Sequence, residues 1–173
     1  MRIISGKYKS RKLFSPDEEL PVRPTSDRAK ETLFNIIQNF FDPEGKRVAD
    51  LYCGSGAIGL EFISRGAKRC VFVDKDVRAV SKNINAIGCG EQSLIIKDCC
   101  LEYIKVEVDV DLIFADPPYD YPDQAEMLRL VSSQKCYFIL EHSKDLILDE
   151  KLKKKVFKEK KIGITTFTFF DFN

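Results

Sequence analysis

The sequence predicts an α/β fold in which a doubly wound, mostly parallel sheet of seven strands carries helices on both faces and ends in an antiparallel edge hairpin. From Arg47 onward, short apolar runs alternate with amphipathic segments at helical spacing, a pattern typical of a parallel sheet covered on both faces. A glycine-rich turn joins the first apolar run to the first of these helical segments. Residues 156–172 form two apolar runs around Gly163, which predicts the closing hairpin.

The positions of the elements follow from the same periodicity. We predict strands at 48–52, 70–73, 94–96, 111–115 and 136–140, and helices at 58–64, 77–87, 101–106 and 124–131. Residues 1–25 are predicted to be a short basic extension, an arm with two short strands. Residues 26–42 are predicted to form a helix that ends at Asp42-Pro43, because a residue before proline avoids helical angles. With residues 47–173 as the α/β core, the 173 residues are expected to make a single domain.

Composition excludes several classes of protein. The chain is 44% hydrophobic and 32% charged, which predicts a globular rather than a disordered protein. No apolar run approaches the roughly 20 residues that span a membrane, and the N-terminus lacks a secretory signal, so we expect a cytoplasmic monomer without membrane contact. One histidine and six cysteines without Cys-x-x-Cys spacing supply neither a zinc site nor a Ser-His-Asp triad, so no metal is expected.

A nucleotide-binding motif follows the first predicted strand. Segment 50–59 reads Asp-Leu-Tyr-Cys-Gly-Ser-Gly-Ala-Ile-Gly. In this motif Gly54 permits the tight turn, Gly56 lets a ligand approach the backbone, and Gly59 allows the helix to pack closely on the strand. Asp74 ends the second strand, where a carboxylate can accept hydrogen bonds from ribose hydroxyls.

The acidic residues around this motif favour a cationic cofactor. Asp50 lies close to where the pyrophosphate of a dinucleotide would sit, and a carboxylate there repels an anion but attracts the ammonium and sulfonium groups of S-adenosylmethionine. Asp98 follows the third strand and can accept from an adenine amine. Cys53 and Cys99 are expected to contribute backbone groups rather than thiol chemistry. We therefore predict S-adenosylmethionine as cofactor and S-adenosylhomocysteine as product.

The motif Asp116-Pro117-Pro118-Tyr119 directly follows the predicted strand 111–115, at the end of a parallel strand where ligands bind. The prolines fix the backbone and leave nearby carbonyls as acceptors. An exocyclic amine that donates to Asp116 and to the Pro117 carbonyl would be oriented for attack on a methyl carbon. Given a reference pKa of about 3.9, Asp116 is expected to be ionised at neutral pH and able to receive the released proton. Tyr119 is expected to stack on a base rotated out of its helix.

Basic residues cluster in the arm although the net charge is only +1. Because clustered Lys and Arg bind phosphates without regard to base sequence, we predict that Lys7, Arg11 and Lys12 contact RNA. A second basic cluster at residues 151–161 is interpreted as a solvated surface.

Taken together, these segments resemble a known family, the bacterial enzymes that methylate the guanine N2 amine of 16S (small-subunit) ribosomal RNA, the small-subunit rRNA methyltransferase D type. The likeness covers nearly the whole chain and includes segments 2–7, 11–13, 23–28, 31–35, 50–59 and 116–119. The resemblance implies a Rossmann-like methyltransferase sheet, the S-adenosylmethionine site and the amine site already described, and a 16S ribosomal RNA or small-subunit substrate gripped by the arm. It also implies that Arg23, Thr25 and Arg28 border the pocket. The chain departs from the family at Tyr52-Cys53, where Phe-Ala is more frequent, and in the shorter stretch 119–136, which forms the pocket wall.

Three other functions use parts of the same pattern. An adenine-N6 methyltransferase acting on DNA or RNA needs the same Asp-Pro-Pro-Tyr geometry, and only the N-terminal resemblance favours guanine. A non-catalytic RNA-binding assembly factor could keep a relic of the cofactor pocket, although the intact motif residues argue against it. A dinucleotide oxidoreductase is disfavoured by Asp50 and by the lack of an acid suited to hydride transfer.

Overall fold

The structure is a computed structural model that describes residues 1–15, 27–118, 121–143 and 146–173. The strands are β1 (Arg47–Leu51), β2 (Arg69–Asp74), β3 (Ser93–Lys97), β4 (Leu112–Ala115), β5 (Tyr137–His142), β6 (Val156–Ile162) and β7 (Thr165–Asp171). The α-helices within these ranges are α1 (Asp27–Ile37), α2 (Ala57–Ser64), α3 (Arg78–Ile87), α4 (Cys100–Ile104), α5 (Gln124–Val131) and α6 (Glu150–Lys153). A single 3₁₀ turn, Gly90–Gln92, precedes β3 among the described residues.

All seven strands belong to one sheet with the order β3-β2-β1-β4-β5-β7-β6. The first five strands pair in parallel, and β7 pairs antiparallel with both β5 and β6. The chain builds outward from β1 to β3 and then returns to place β4 on the other side of β1. The strand order therefore reverses between β1 and β4, and at such a reversal the loops after the two strands diverge and leave a crevice.

Helices cover both faces of this sheet. On one face, α1, α2, α3 and the arm residues Ile3 and Leu13 bury apolar side chains against the sheet. On the other face, α4 and α5 do the same. The predicted doubly wound, mostly parallel, seven-stranded sheet with an antiparallel edge hairpin is thus confirmed. No helix in the described part of the chain is long and apolar enough to cross a membrane.

The predicted boundaries hold to within two residues for most elements, with one larger difference at the first helix. The helix predicted for 26–42 ends at Ile37 in the structure. Phe40 continues the apolar spacing but lies in the following turn, where it contacts the rings of Tyr137, Phe157 and Phe169. Tertiary packing of an aromatic cluster, rather than helical periodicity, therefore accounts for that position. Helix α6 and the 3₁₀ turn are short elements that the periodicity does not predict.

The N-terminal arm is bound by buried charges on α1 and α2. Glu61 is fully buried, and its two carboxylate oxygens accept hydrogen bonds from the amides of Ile4 (2.8 Å) and Ser5 (3.0 Å). The equally buried Lys30 places its Nζ 3.3 Å from Glu61 Oε2 and also donates to the Arg2 carbonyl. Because an unpaired buried charge is costly, this pair fixes the arm on the helices.

The backbone of the arm also lies very close to the backbone at the end of α2. Gly6 has φ 80°, and a Cβ at this position would lie 1.8 Å from the carbonyl oxygen of Ser64. That same carbonyl accepts from the Lys7 amide at 2.7 Å, and the Ser64 hydroxyl accepts from the Tyr8 amide at 2.9 Å. Arg2 and Lys12 form one isolated antiparallel bridge, so residues 1–15 do not contain the two short strands that were predicted for the arm.

Replacing Glu61 by alanine should lower the free energy of unfolding by about 3–5 kcal/mol, because Lys30 and two arm amides would remain buried without their partner. The measurement is urea unfolding followed by circular dichroism. Glu126→Ala is the matched control, because it removes an exposed ion pair with Arg129 on α5 and should cost less than about 1 kcal/mol. Equal losses in the two variants would contradict the role given to Glu61.

Candidate active site

The glycine-rich turn after β1 uses its glycines for different tasks. Gly54 has φ 51°, and nothing lies within 4 Å of where its Cβ would be, so its backbone faces open space. At Gly56, a Cβ would lie 2.5 Å from Val80 and 3.2 Å from the Phe72 ring. Close packing against α3 and β2 therefore requires glycine at this position, and the approach of a ligand to the Gly56 backbone stays a prediction.

Gly59 has the predicted packing role. A Cβ there would lie 2.3 Å from the Phe72 ring and 2.6 Å from the Cys70 sulfur, so only glycine lets α2 lie this close to β2. The Gly59 amide also donates to Asp50 Oδ2 at 2.8 Å. The buried carboxyl of Asp50 thereby ties the end of β1 to the first turn of α2.

Three carboxyl groups converge at the ends of β1, β2 and β4. Burial raises the pKa of the Asp50 carboxyl well above its usual value, the hydrogen bond from Gly59 opposes this, and the charges of Asp116 and Asp74 raise it further. Asp116 and Asp74 therefore both lie within electrostatic range of the Asp50 carboxyl. A site of this kind repels a pyrophosphate and favours a cation.

Asp74 and Asp98 are connected through the backbone at the ends of β2 and β3. Asp74 accepts from the Gly54 amide at 2.9 Å and from the Asp76 amide at 3.1 Å, so it holds the glycine-rich turn in place. Its carboxylate keeps further lone pairs that can accept hydrogen bonds. Asp98 is exposed, donates its amide to the Asp74 carbonyl at 3.1 Å, and accepts from the Cys99 amide at 2.7 Å.

The two cysteines predicted near the cofactor engage through their backbones. The Cys53 amide donates to the Val73 carbonyl at 3.3 Å, and its carbonyl accepts from Gly56 at 2.6 Å. Burial raises the pKa of the Cys53 thiol far above its usual value, which leaves it protonated and unreactive. The Cys99 carbonyl accepts from the Tyr103 amide in the first turn of α4.

Asp116 lies at the crevice between β1 and β4. Its amide donates to the Leu51 carbonyl at 3.4 Å, and Pro117 behind it is buried. Burial raises the pKa of the Asp116 carboxyl to about 7. The expectation of a fully ionised Asp116 at neutral pH is therefore wrong for the unliganded chain, because a largely enclosed carboxylate loses hydration. A cation bound nearby would lower the pKa again and restore the charge.

An aromatic pair that the sequence did not reveal borders Asp116. Tyr52 adopts the left-handed region with φ 57°, which is uncommon for a residue other than glycine. Its amide donates to the Cys100 sulfur at 3.2 Å, and its ring meets that of Tyr121 edge-on with 5.3 Å between centroids. The Tyr121 amide in turn donates to the Pro118 carbonyl at 3.0 Å. These contacts connect the loop after β4 with the turn after β1.

The structure describes four of the residues that were predicted to contact RNA or to border the pocket. Lys7, Arg11, Lys12 and Arg28 are all exposed. Lys7 lies beside Ser64 at the far end of α2, which is about 10 Å along the helix axis from the glycine-rich turn. The other predicted site residues, Arg23, Thr25 and Tyr119, lie outside the described residues.

A cavity of about 310 Å³ opens next to the glycine-rich turn. The turn and the end of β2 contribute Gly54, Asp74 and Asp76, and α3 contributes Arg78, Ala79 and Lys82. Its remaining walls are Phe14 and Ser15 of the arm. No arm residue was predicted at the cofactor motif, because no local pattern links two segments so distant in the sequence.

Comparisons with known proteins identify the family and the fold. Residues 1–171 match the family model described as Conserved hypothetical protein 95. The chain is 33% identical over 162 residues to YlbH of Bacillus subtilis strain 168, provisionally named an rRNA methyltransferase, with 87% of this chain and 86% of YlbH covered. It is 30% identical to the ribosomal RNA small subunit methyltransferase D of Haemophilus influenzae, with 98% and 93% covered. Among solved structures, yhhF of Escherichia coli, provisionally named a methyltransferase, superposes with a TM-score of 0.82 at 25% identity, covering 99% of this chain and 97% of that one.

The raised pKa of Asp116 predicts a cost in stability at neutral and higher pH. The folded state holds the Asp116 proton up to about pH 7, whereas the unfolded chain releases it near pH 4, so stability falls as the pH rises between these values. Asp116→Asn cannot ionise. It should therefore match the wild type in Tm at pH 4 and exceed it by several degrees at pH 8, since each pKa unit corresponds to about 1.4 kcal/mol.

Differential scanning calorimetry at the two pH values measures this difference. Asp109→Asn serves as the control, because that carboxylate is 80% exposed and should show no gain that grows with pH. A wild-type chain as stable as Asp116→Asn at pH 8 would contradict the raised pKa.

Proposed function

Since this chain belongs to the family of ribosomal RNA small subunit methyltransferase D, we propose that it methylates the exocyclic N2 amine of a guanine in 16S ribosomal RNA with S-adenosylmethionine as the methyl donor. The observation that carries the proposal is the convergence of Asp50, Asp74 and Asp116 at the point where the strand order reverses. A cluster of carboxyls favours a cofactor with a cationic reacting end, and Asp116 adds an acceptor for an amine.

The residues of the turn fit S-adenosylmethionine. The open space beside Gly54 admits a ligand to the backbone, and Asp74 next to it can accept from ribose hydroxyls. Asp98 is exposed after β3, where an adenine amine can donate to it. Asp50 and the backbones of Cys53 and Cys99 would complete this cofactor site. When bound, S-adenosylmethionine supplies a methyl group on a positively charged sulfur.

Asp116 and its neighbours would orient the amine. The N–H groups donate to the Asp116 carboxylate and to the Pro117 carbonyl, so that the nitrogen lone pair points at the methyl carbon. A nitrogen–carbon bond forms, the carbon–sulfur bond breaks, and the amine proton passes to Asp116 or to water. Tyr119 would stack on the base, as the motif predicts, and the Tyr52–Tyr121 pair would form the neighbouring wall.

The arm would provide the RNA-binding surface that a small catalytic domain lacks. Lys7, Arg11 and Lys12 are exposed on a segment docked firmly on α1 and α2. Phosphate contacts from such residues give affinity that does not depend on base sequence. By the family resemblance, Arg23, Thr25 and Arg28 would lie between this surface and the pocket.

A second candidate reaction is methylation of adenine N6 in RNA or DNA. It requires the same acceptors around Asp116, so the described geometry serves either amine. The resemblance of the N-terminal segments to the guanine-N2 family favours guanine, and the name of the Haemophilus influenzae relative supports small-subunit ribosomal RNA as the substrate. In a non-catalytic assembly factor, the loss of stability that comes from burying the Asp116 carboxyl would serve no function.

Incubation with labelled S-adenosylmethionine and small ribosomal subunits that lack the modification should yield N2-methylguanosine in the 16S RNA, identified by nucleoside analysis. Asp116→Ala should lower the rate of transfer by at least about 100-fold, the effect of losing a positioned acid or base, while its cofactor affinity stays within a few-fold. Label in N6-methyladenosine would overturn the guanine assignment. Wild-type turnover by Asp116→Ala would overturn the role of Asp116.

Replacing Lys7, Arg11 and Lys12 together with alanine should weaken RNA binding and flatten its salt dependence. For every phosphate contact that is lost, the slope of the log association constant against log salt concentration should become less negative by about 0.7–0.9. The triple variant should therefore change the slope by about 2. Fluorescence anisotropy with a labelled RNA hairpin at several salt concentrations measures this slope. The matched control removes the same charge at the other end of the chain by changing three lysines to alanine, Lys153, Lys154 and Lys155. It should leave the slope almost unchanged.

A further inference from the structure

The N-terminal arm reaches the proposed cofactor site, and we propose that Asn83 positions it there, so that Phe14 and Ser15 form one wall of the S-adenosylmethionine pocket. The inference rests on the proposed function and assigns the arm a second task besides RNA binding. Asn83 lies on α3 and would act through the residues that it holds, without touching the reacting atoms.

Asn83 connects the arm to the glycine-rich turn through three hydrogen bonds. Its Oδ1 accepts from the Phe14 amide at 2.7 Å, and its Nδ2 donates to the Phe14 carbonyl at 3.0 Å. The same Nδ2 donates to the Ser55 carbonyl at 2.8 Å. One side chain thus holds both backbone groups of an arm residue and a carbonyl between Gly54 and Gly56.

The chemistry of the position requires an amide. Asn83 is fully buried, so its own side-chain amide has no water as an alternative partner. An amide side chain offers one acceptor oxygen and two donor hydrogens, and these three functions match the three bonds. Aspartate of the same shape keeps the acceptor but loses both donors, and leucine of similar size loses all three.

The result of this connection is a cavity with one wall from the arm. Phe14 is 47% exposed and faces the same 310 Å³ space as Gly54 and Asp74. Lys82 of α3 places its Nζ 3.9 Å from the centre of the Phe14 ring, a cation–π contact that holds the ring against the helix. The proposed ribose ligand Asp74 and the arm residue Phe14 therefore line one pocket.

Linkage between the arm and the cofactor follows from this arrangement. A ligand that contacts the docked arm stabilises docking, and the docked arm must improve ligand affinity by the same factor. The arm also carries Lys7, Arg11 and Lys12, so the segment that would contact RNA is the segment that completes the cofactor pocket. Asn83 connects this segment to the glycine-rich turn.

Calorimetric titration of the full chain with S-adenosylhomocysteine tests the proposal. Asn83→Leu should raise the Kd by at least about tenfold, since all three hydrogen bonds of this buried side chain are removed. Asn85→Leu is the matched control, because Asn85 is exposed two residues away on the same helix and should change the Kd by less than about twofold. Phe14→Ala changes an exposed side chain and keeps all three Asn83 bonds, and it should raise the Kd by about three- to fivefold.

A second measurement uses the wild type first, so its main result does not depend on a variant that folds well. Hydrogen exchange at the Phe14 amide of the wild type should slow when S-adenosylhomocysteine binds. In a folded Asn83→Asp variant this protection should disappear. A residue that merely stabilised the fold would not link exchange in the arm to the ligand. Ligand-independent exchange at Phe14, together with unchanged affinity in Phe14→Ala, would overturn this inference while leaving the cofactor assignment intact. A wild-type chain that does not bind S-adenosylhomocysteine would overturn the proposed cofactor and this inference together.

Discussion

The parallel pairing of β1 with β4 is the contact on which the site depends. It sets Asp50 opposite Phe114 and Leu51 opposite Ala115, and the next residue, Asp116, then donates its amide back to Leu51. The glycine-rich turn and residues 116–118 leave the sheet side by side because the strand order reverses at this pair. Two segments that are far apart in the sequence, and that carry the proposed cofactor and amine sites, therefore lie at one crevice.

Gathering three carboxyl groups at this crevice has an energetic cost. Burial favours the protonated forms of Asp50 and Asp116 and raises both pKa values, and for Asp50 the charges of Asp116 and Asp74 add to the effect. A positive charge beside these groups makes the arrangement favourable, because a cation stabilises carboxylates that burial disfavours. The buried carboxyl groups thus lower the stability of the folded protein, and a bound cation would relieve that cost. Perturbed pKa values of this kind are frequent at functional sites.

Buried polar side chains bind the arm at two places, a charged pair near its start and a neutral amide near residue 14. Near its start, the Lys30–Glu61 pair satisfies backbone groups of residues 2–5. Near residue 14, the Asn83 amide does so without charge. Both anchors lie on helices that also pack on the sheet, so a segment that looks like a basic tail in the sequence is packed against the same layer as the glycine-rich turn.

The amino-acid sequence predicts the element order, the parallel sheet with its edge hairpin, and the identity of the residues after β1, β2, β3 and β4, because strand alternation, glycine turns and Asp-Pro-Pro are local signals. The other features depend on tertiary packing. It ended the first helix at Ile37, assigned Gly56 to packing against Val80, raised the pKa of Asp116, and brought Phe14 to Gly54 through Asn83. Each of these depends on what surrounds a residue in space, and burial and contacts between distant segments leave no periodic trace along the chain.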